Sequence, residues 1–163
     1  MNMRLLLVTV LVATTSLAQT GTPRYTGIKV HHKVAIQMRD VLDMFKRDGI
    51  DLELNGATQT VIVDAYSFSK NRRLPQKAAA IAMGTDNDNG INIWVNLDIW
   101  EYMSYERQLI TLLHELGHDY FNLKHSDDID DLMYFQLSPN RVTMKDVYNY
   151  YKQLAPLCKN KLQ

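Results

Sequence analysis

The sequence predicts an α+β domain in which a small, mixed and mostly parallel sheet packs on an early helix and on a second helix that carries the candidate site. Apolar residues recur at helical spacing over residues 34–45 and again over residues 109–116. Residues 60–66 and 91–96 instead show the alternating, apolar pattern of strands. A last helix is expected near Thr143 to Leu154, which completes the order of elements.

The early helix and the strands have distinct sequence signals. The apolar face of the helix consists of Val34, Met38, Val41, Leu42 and Phe45. Lys46, Arg47 and Gly49 follow as a C-terminal stop. Both alternating sides of the 60–66 segment carry apolar residues, so we expect a strand that is buried on both faces. A strong turn signal at residues 86–90 leads into the second strand.

Length and composition indicate a single globular domain. The chain has 163 residues, of which 46% are hydrophobic and 22% are charged, and this composition argues against disorder. Lys plus Arg is 18 and Asp plus Glu is 18, so there is no electrostatic reason to expect a nucleic-acid partner. Because Cys158 is the only cysteine, an internal disulfide is excluded, and the fold must depend on its core or on a metal.

Residues 1–18 have the pattern of a signal peptide. Arg4 precedes an apolar run, and Ser16 and Ala18 supply the small residues that a signal peptidase requires. The run is shorter than the roughly 20 residues of a membrane-spanning helix. We therefore expect an exported protein, periplasmic or secreted, whose mature domain comprises residues 19–163 and has no membrane span. A membrane anchor or a buried N-terminal helix is the alternative interpretation.

The residues with the clearest chemical meaning lie on the second helix. Ser104 is its expected N-cap, and Glu106 in the first turn suits the helix dipole. His114, Glu115 and His118 then form an H-E-x-x-H pattern. Two histidines four residues apart share one helix face, so both imidazoles can reach one zinc ion, and Glu115 can accept a proton from a zinc-activated water. The alternative is a pair of ordinary histidines on an amphipathic helix.

A catalytic zinc ion needs a third protein ligand, and His125 is the candidate. No glutamate follows Glu115 in the sequence, which excludes a glutamate ligand from a later helix. In a continuous helix, His125 would lie about 10.5 Å along the axis from His118, too far for zinc bonds of roughly 2.1 Å. The helix must therefore end between them, and Asn122 suits that position because asparagine tolerates the left-handed conformation.

Two acidic segments raise the question of calcium, and a plain loop is the favoured interpretation of both. Residues 86–90 alternate Asp and Asn, yet the glycine comes one position too early for an EF-hand and no glutamate closes the loop. The same interpretation applies to the second segment, which contains Asp127, Asp128, Asp130 and Asp131. His31 and His32 lie in no motif and are expected to be ordinary surface residues.

The stretch from His114 to His125 resembles the zinc signature of the metzincin metallopeptidases, which place a third histidine after a glycine or asparagine that ends the active-site helix. Asp131–Tyr134 resembles the Met-turn of the same clan, and its Leu-Met-Tyr sequence, together with Ser126, is closest to the matrixins. The chain departs from the pattern in one respect. The helix-ending Asn122 lies one residue further from the second histidine than in metzincins.

The resemblance implies a metzincin-like fold and an exported zinc-dependent endopeptidase that acts on a protein or peptide. His114, His118 and His125 would hold one zinc ion, Glu115 would be the general base, and Met133 would form an apolar floor beneath the histidines without binding the metal. The alternative function is a non-catalytic zinc-binding surface or interaction module. Glu115 favours the enzyme, because a purely structural zinc site has no use for that carboxylate.

The resemblance also assigns roles to two neighbouring elements. Tyr134 would be structural, or it would donate a hydrogen bond to a reaction intermediate. The strand from Gly90 to Asn96 would be the exposed edge of the sheet, where an extended peptide substrate could add as a further strand.

Overall fold

The computed structural model describes residues 27–50, 52, 60–70, 74–83, 90–134 and 141–161. The predicted signal peptide (residues 1–18) and most of the acidic turn at residues 86–90 lie outside the described residues. The described residues form a mixed α+β arrangement, and this confirms the predicted α+β class.

A four-stranded sheet forms one layer of the fold. Its strands are β1 (Gly27–Val30), β2 (Thr60–Tyr66), β3 (Ala80–Ala82) and β4 (Ile91–Asn96). Their order across the sheet is β1-β2-β4-β3. β1 and β4 run parallel to β2, whereas β3 is antiparallel to β4. The sheet is therefore mixed and mostly parallel, as predicted.

Four helices accompany the sheet in the described part of the chain. They are α1 (Ala35–Arg47), α2 (Leu97–Trp100), α3 (Tyr105–Asp119) and α4 (Met144–Lys161). α4 begins where the last helix was expected, but it continues past Leu154 and through Pro156. Within the described residues, no helix combines the length and the apolar character that a membrane span requires.

α1 follows the pattern of its sequence. Its buried face consists of Met38, Val41, Leu42 and Phe45. After the helix, Gly49 adopts φ +76°, a left-handed conformation that glycine takes without a Cβ penalty. The Gly49 N–H donates to the Lys46 carbonyl at 3.0 Å, which satisfies one of the last carbonyls of the helix.

β2 is buried on one face only, so the prediction of burial on both faces is wrong. Val61 and Val63 join the core together with residues of α1 and α3. On the opposite face Ile62 is half-buried and Tyr66 is 39% exposed. That face carries the Tyr66 and Trp94 rings, whose centroids lie 4.8 Å apart. Rings with one polar end can cover a sheet without excluding water, and this accounts for the half-buried face.

β4 lies between β2 and β3, so the prediction that residues 90–96 form the exposed edge is also wrong. β3 occupies that edge. Its three residues, two of them alanines, give no strand signal, because alanine is depleted in strands. The segment is a strand because it pairs with β4, with Ile81 opposite Trp94. A pairing of this kind depends on the tertiary fold, which the local sequence does not encode.

Candidate metal centre

α3 is anchored at its start and along one face. The Ser104 hydroxyl accepts a hydrogen bond from the Arg107 N–H at 3.3 Å, which confirms the predicted N-cap. The apolar face of the helix is fully buried and consists of Leu109, Leu112, Leu113 and Leu116. Because this face fixes the rotation of the helix, it also sets the directions of the histidines and the glutamate beside it.

The helix ends in a widened turn that contains the extra residue noted in the sequence. Asn122 adopts φ 54°, as its predicted role at the helix end requires. The Phe121 N–H donates to the Leu116 carbonyl five residues back at 3.3 Å, and the Leu123 N–H donates to the Gly117 carbonyl six residues back at 2.9 Å. A regular α-helix uses four residues per bond, so the additional residue is accommodated by wider rings and not by a longer helix.

This turn brings three imidazoles together. The Nε2 atom of His118 lies 3.1 Å from Nε2 of His114 and 3.0 Å from Nε2 of His125. One ligand nitrogen from each of the three rings lies within 4.8 Å of the others. The structure therefore assembles the three histidines that the sequence indicated into a group that could hold a metal ion.

Two of the rings are held with their Nε2 lone pairs towards the centre. Nδ1 of His114 lies 2.8 Å from the Leu132 carbonyl oxygen, and Nδ1 of His118 lies 2.8 Å from the Leu123 carbonyl oxygen. Because a carbonyl oxygen can only accept, each Nδ1 must carry the hydrogen. In the neutral rings, each Nε2 is then an unprotonated ligand atom.

The nitrogen set fits a tetrahedral metal ion. Bonds of about 2.1 Å at tetrahedral angles place two ligand nitrogens about 3.4 Å apart, slightly more than the 3.0 and 3.1 Å separations of the Nε2 atoms. Lone pairs that face one another at such distances repel unless a cation lies between them. Three imidazoles with a further coordination position open are typical of catalytic zinc, and imidazole also suits other late transition metals.

Burial keeps the helical histidines neutral. Desolvation lowers the pKa of His114 to about 4, against an ordinary value of 6.5, and the neighbouring imidazoles act in the same direction. Burial also lowers the pKa of His118, although its bond to the Leu123 carbonyl opposes the shift. Because only the neutral imidazole can bind a metal, these two side chains do not have to release a proton before binding at neutral pH.

Glu115 is a buried carboxyl group beside the histidines, with only 7% of its surface exposed. Its Oε2 accepts a hydrogen bond from the Ala82 N–H of β3 at 2.7 Å. Burial raises its pKa to about 7; the bond from Ala82 opposes this shift and the charge of Asp119 adds to it. A carboxyl group with such a pKa can both take up and release a proton near neutral pH. Nothing in the sequence around Ala82 indicates this contact.

Met133 packs against α3 at Gly117. A Cβ atom built on Gly117 would lie 2.3 Å from the Met133 sulfur, so this approach requires the absence of a side chain. Met133 is buried, and its carbonyl accepts the Ser126 N–H at 2.9 Å while its N–H donates to Oδ1 of Asp131 at 2.7 Å. The methionine thus lies under the helix that carries the histidines, where its predicted role as an apolar floor requires it.

The site opens into a large cleft of about 1320 Å³. Its walls include the three histidines, Glu115, β3 and Tyr134, and it continues past the first turn of α3. His125 is exposed at this surface, whereas His114 is buried. A ligand in the cleft would therefore contact the histidines, the carboxyl group of Glu115 and the open sheet edge at once.

The other sequence-predicted polar residues lie outside this arrangement. Oδ1 of Asp128 accepts the Asp130 N–H at 3.0 Å, a turn-forming bond that accords with a plain loop. His31 and His32 contact each other, with ring centroids 4.4 Å apart, and do not belong to the metal-binding group.

Comparison with known proteins identifies no relative of this chain. No family model matches the chain, and neither the curated proteins nor the solved structures yield a significant match.

Proposed function

We propose that this protein is an exported, zinc-dependent endopeptidase of the metzincin type. The observation that carries the proposal is the convergence of the His114, His118 and His125 Nε2 atoms beside the buried carboxyl group of Glu115, at the wall of an open cleft. A structural site needs the histidines alone. A hydrolase also needs a proton acceptor and room for a substrate.

The chain's own residues have separable roles in this proposal. The three histidines hold zinc, and their Nδ1 bonds to backbone carbonyls fix two of the rings for this purpose. Zinc bound there would polarise a substrate carbonyl and lower the pKa of a water molecule towards 7. Glu115 takes the proton of the attacking water and delivers it to the leaving amine.

The size and shape of the cleft favour a polypeptide substrate. Small-molecule sites typically enclose roughly 300–1,000 Å³, whereas this cleft has about 1320 Å³ and is open along β3. An exposed strand edge binds extended peptides through main-chain hydrogen bonds. The corrected position of the edge, at β3, lies next to Glu115 because Ala82 and the carboxyl group are in contact.

The assignment to the metzincins rests on the sequence signature together with two local features. Asn122 turns the chain after the helix, and Met133 lies under the helix at Gly117. The widened last turn accommodates the one residue by which the signature is longer. Export rests on the signal-peptide pattern of residues 1–18, and N-terminal sequencing of a processed product that begins near Gln19 tests it. An intact Met1 would contradict export.

Glu115→Gln tests the enzymatic proposal. It removes the proton acceptor but no metal ligand, so zinc content should remain at one ion per chain while peptide cleavage falls by about 10²–10⁴. Glu101→Gln is the matched control, since Glu101 bonds to Lys33 outside the cleft, and it should leave both quantities unchanged.

The non-catalytic module gives the opposite result. If wild type and Glu115→Gln bind zinc equally and neither cleaves a broad peptide library, the peptidase proposal is wrong. A protein that binds no zinc after metal loading would exclude both functions.

A further inference from the structure

Among the described residues β3 is the edge strand next to β4, and its hydrogen bonds follow an alternating pattern. The Asn96 N–H donates to the Ala79 carbonyl at 2.9 Å, and the Met83 N–H donates to the Asn92 carbonyl at 2.7 Å. In an antiparallel pair, every second residue bonds to the neighbouring strand. Residues 79, 81 and 83 therefore face β4, and the main-chain groups of Ala80 and Ala82 point away from β4, to the open edge.

One of these outward groups is already in use. The Ala82 N–H donates to Oε2 of Glu115 at 2.7 Å. For the Ala80 N–H, the described residues supply no acceptor. The two outward amides of this short strand thus differ in whether they have an acceptor, and the pairing of β3 with β4 does not explain this difference.

A second carboxylate of α3 also contacts the sheet, but outside the cleft. Oδ2 of Asp119, one turn after Glu115, accepts the Asn92 N–H of β4 at 2.7 Å. Both bonds tie α3 to the sheet, but Asp119 does not line the cleft and Glu115 does. With Oε2 of Glu115 held by Ala82, Oε1 has no hydrogen-bond partner among the described residues and is left for a ligand in the cleft.

We propose that the Ala82 amide is a positioning group for Glu115, and that the edge of β3 is divided between the two tasks of the site. The Ala82 N–H holds the carboxyl group with one oxygen turned to the reacting atoms. The main-chain groups of Ala80, together with the Ala82 carbonyl, remain to pair with an extended peptide. This division rests on the proposed peptidase function, but the contact itself can be tested without any turnover.

Amide hydrogen exchange of the zinc-loaded protein, followed by NMR, tests the contact. An outward amide at a free edge exchanges rapidly, so we expect the Ala82 N–H to exchange at least about 10-fold more slowly than the Ala80 N–H. Glu115→Ala should abolish the difference. Asp119→Ala is the matched control. It should accelerate hydrogen exchange of the Asn92 amide, while the Ala82 amide stays protected from exchange. Equal exchange of Ala80 and Ala82 in the wild type, or protection of Ala82 that survives Glu115→Ala, would overturn the proposal.

Amide-to-ester replacement tests the division of the edge. Lactic acid in place of Ala82 removes the N–H and also weakens the preceding Ile81 carbonyl as an acceptor. The Ala80 ester weakens the Ala79 carbonyl in the same way and is therefore the reference. Relative to it, kcat of the Ala82 ester should fall about 10- to 100-fold, with KM within about twofold of the wild type. Lactic acid in place of Ala80 removes an N–H that the substrate would use, so KM should rise with kcat retained. Zinc content should be unchanged in both. Wild-type kcat in the Ala82 ester, or the same rise in KM in both esters, would contradict the proposal.

The two tests separate this inference from the proposed function. If the wild type cleaves no peptide, the peptidase proposal fails, and the exchange experiment alone decides whether Ala82 positions the Glu115 carboxyl group. If the wild type cleaves peptides but the Ala82 ester has full kcat, the peptidase proposal is supported and the positioning role of Ala82 is wrong.

Discussion

The candidate metal centre has two unlike halves, one on a helix and one on a loop. His114 and His118 come from α3, a helix with a fully buried apolar face, and backbone carbonyls hold both rings. His125 comes from the exposed segment after the helix and reaches the other two only because Asn122 turns the chain. The helical half is thus preorganised by packing, whereas the loop half depends on the Asn122 turn and on the bond from the neighbouring Ser126 N–H to the Met133 carbonyl.

Removal of a ligand from each half should have the largest effects. His114→Ala and His125→Ala each delete a zinc ligand, so the zinc affinity should fall by more than about 100-fold, the upper range for loss of an outer hydrogen-bond partner. Only His114→Ala should also destabilise the metal-free protein, by about 2–4 kcal/mol, because it empties a buried site and leaves the Leu132 carbonyl unpaired. Competition titration and denaturant unfolding measure the two quantities. An unchanged zinc affinity in His125→Ala would place the third ligand elsewhere, for example among Asp127 to Asp131.

The helical half should also give the metal-free protein two opposed pH dependences. The pKa of His114 is lowered to about 4, so its contribution is present above pH 6.5 and lost as the pH falls towards 4. The pKa of Glu115 is raised from 4.5 to about 7, so its contribution is present below pH 4.5 and lost as the pH rises through 7. Each contribution amounts to about 3 kcal/mol. Between pH 4.5 and 6.5, the stability gained from His114 as the pH rises offsets the stability lost from Glu115, so the sum changes little with pH.

Glu115→Gln separates these two contributions. Glutamine does not ionise, so the variant keeps the folding stability that the wild type loses when Glu115 ionises. Its free energy of unfolding, minus that of the wild type, should therefore rise by about 3 kcal/mol from pH 4.5 to 7. Denaturant unfolding of both metal-free proteins across this range provides the measurement. A pH-independent difference would mean that Glu115 ionises in the folded protein as it does in the unfolded chain.

Gly117 and Met133 join the two halves, and their coupling should be measurable. Gly117→Ala would add a Cβ at 2.3 Å from the Met133 sulfur, and the resulting overpacking should cost about 1–3 kcal/mol despite the better helix propensity of alanine. Combined with Met133→Ala, the same change should cost at least about 1 kcal/mol less. A double-mutant cycle by denaturant unfolding tests this. Strict additivity would show that the two residues do not press on each other.

Asn122 should have the smallest effect and the most local one. Asn122→Gly keeps a residue that accepts φ 54°, so stability and zinc affinity should change little. Asn122→Ala should cost about 1–2 kcal/mol in the left-handed conformation. If relief of this strain moves His125, zinc affinity should fall by about tenfold. Wild-type zinc binding in Asn122→Ala would show that the loop half does not depend on this turn.

The helical half of the site was predictable from sequence because its information is local. The spacing of His114 and His118 places both rings on one face of any α-helix, and Ser104 marks the start of that helix. Likewise, the left-handed Asn122 follows from the need to end the helix before His125. In each case the relevant residues lie within a few positions of one another.

The features that sequence reasoning missed depend on contacts between distant segments. β3 is a strand only because it pairs with β4, and this pairing makes β3 the edge strand of the described sheet. The Ala82 contact with Glu115 joins residues 33 positions apart through a backbone amide, which no residue type reveals. The half-exposed face of β2 reflects which side of the sheet the helices cover, and an apolar pattern alone does not contain that choice.

We propose that three imidazoles of this chain bind one zinc ion and leave one coordination position open. X-ray absorption spectroscopy of the zinc-loaded protein tests it most directly, because it reports the number, type and distance of the ligands. We predict one zinc per chain with three imidazole nitrogens at about 2.0–2.1 Å and one further light atom. A protein that holds no zinc, or a coordination shell with sulfur or a carboxylate in place of an imidazole, would show that the three histidines do not form the proposed site.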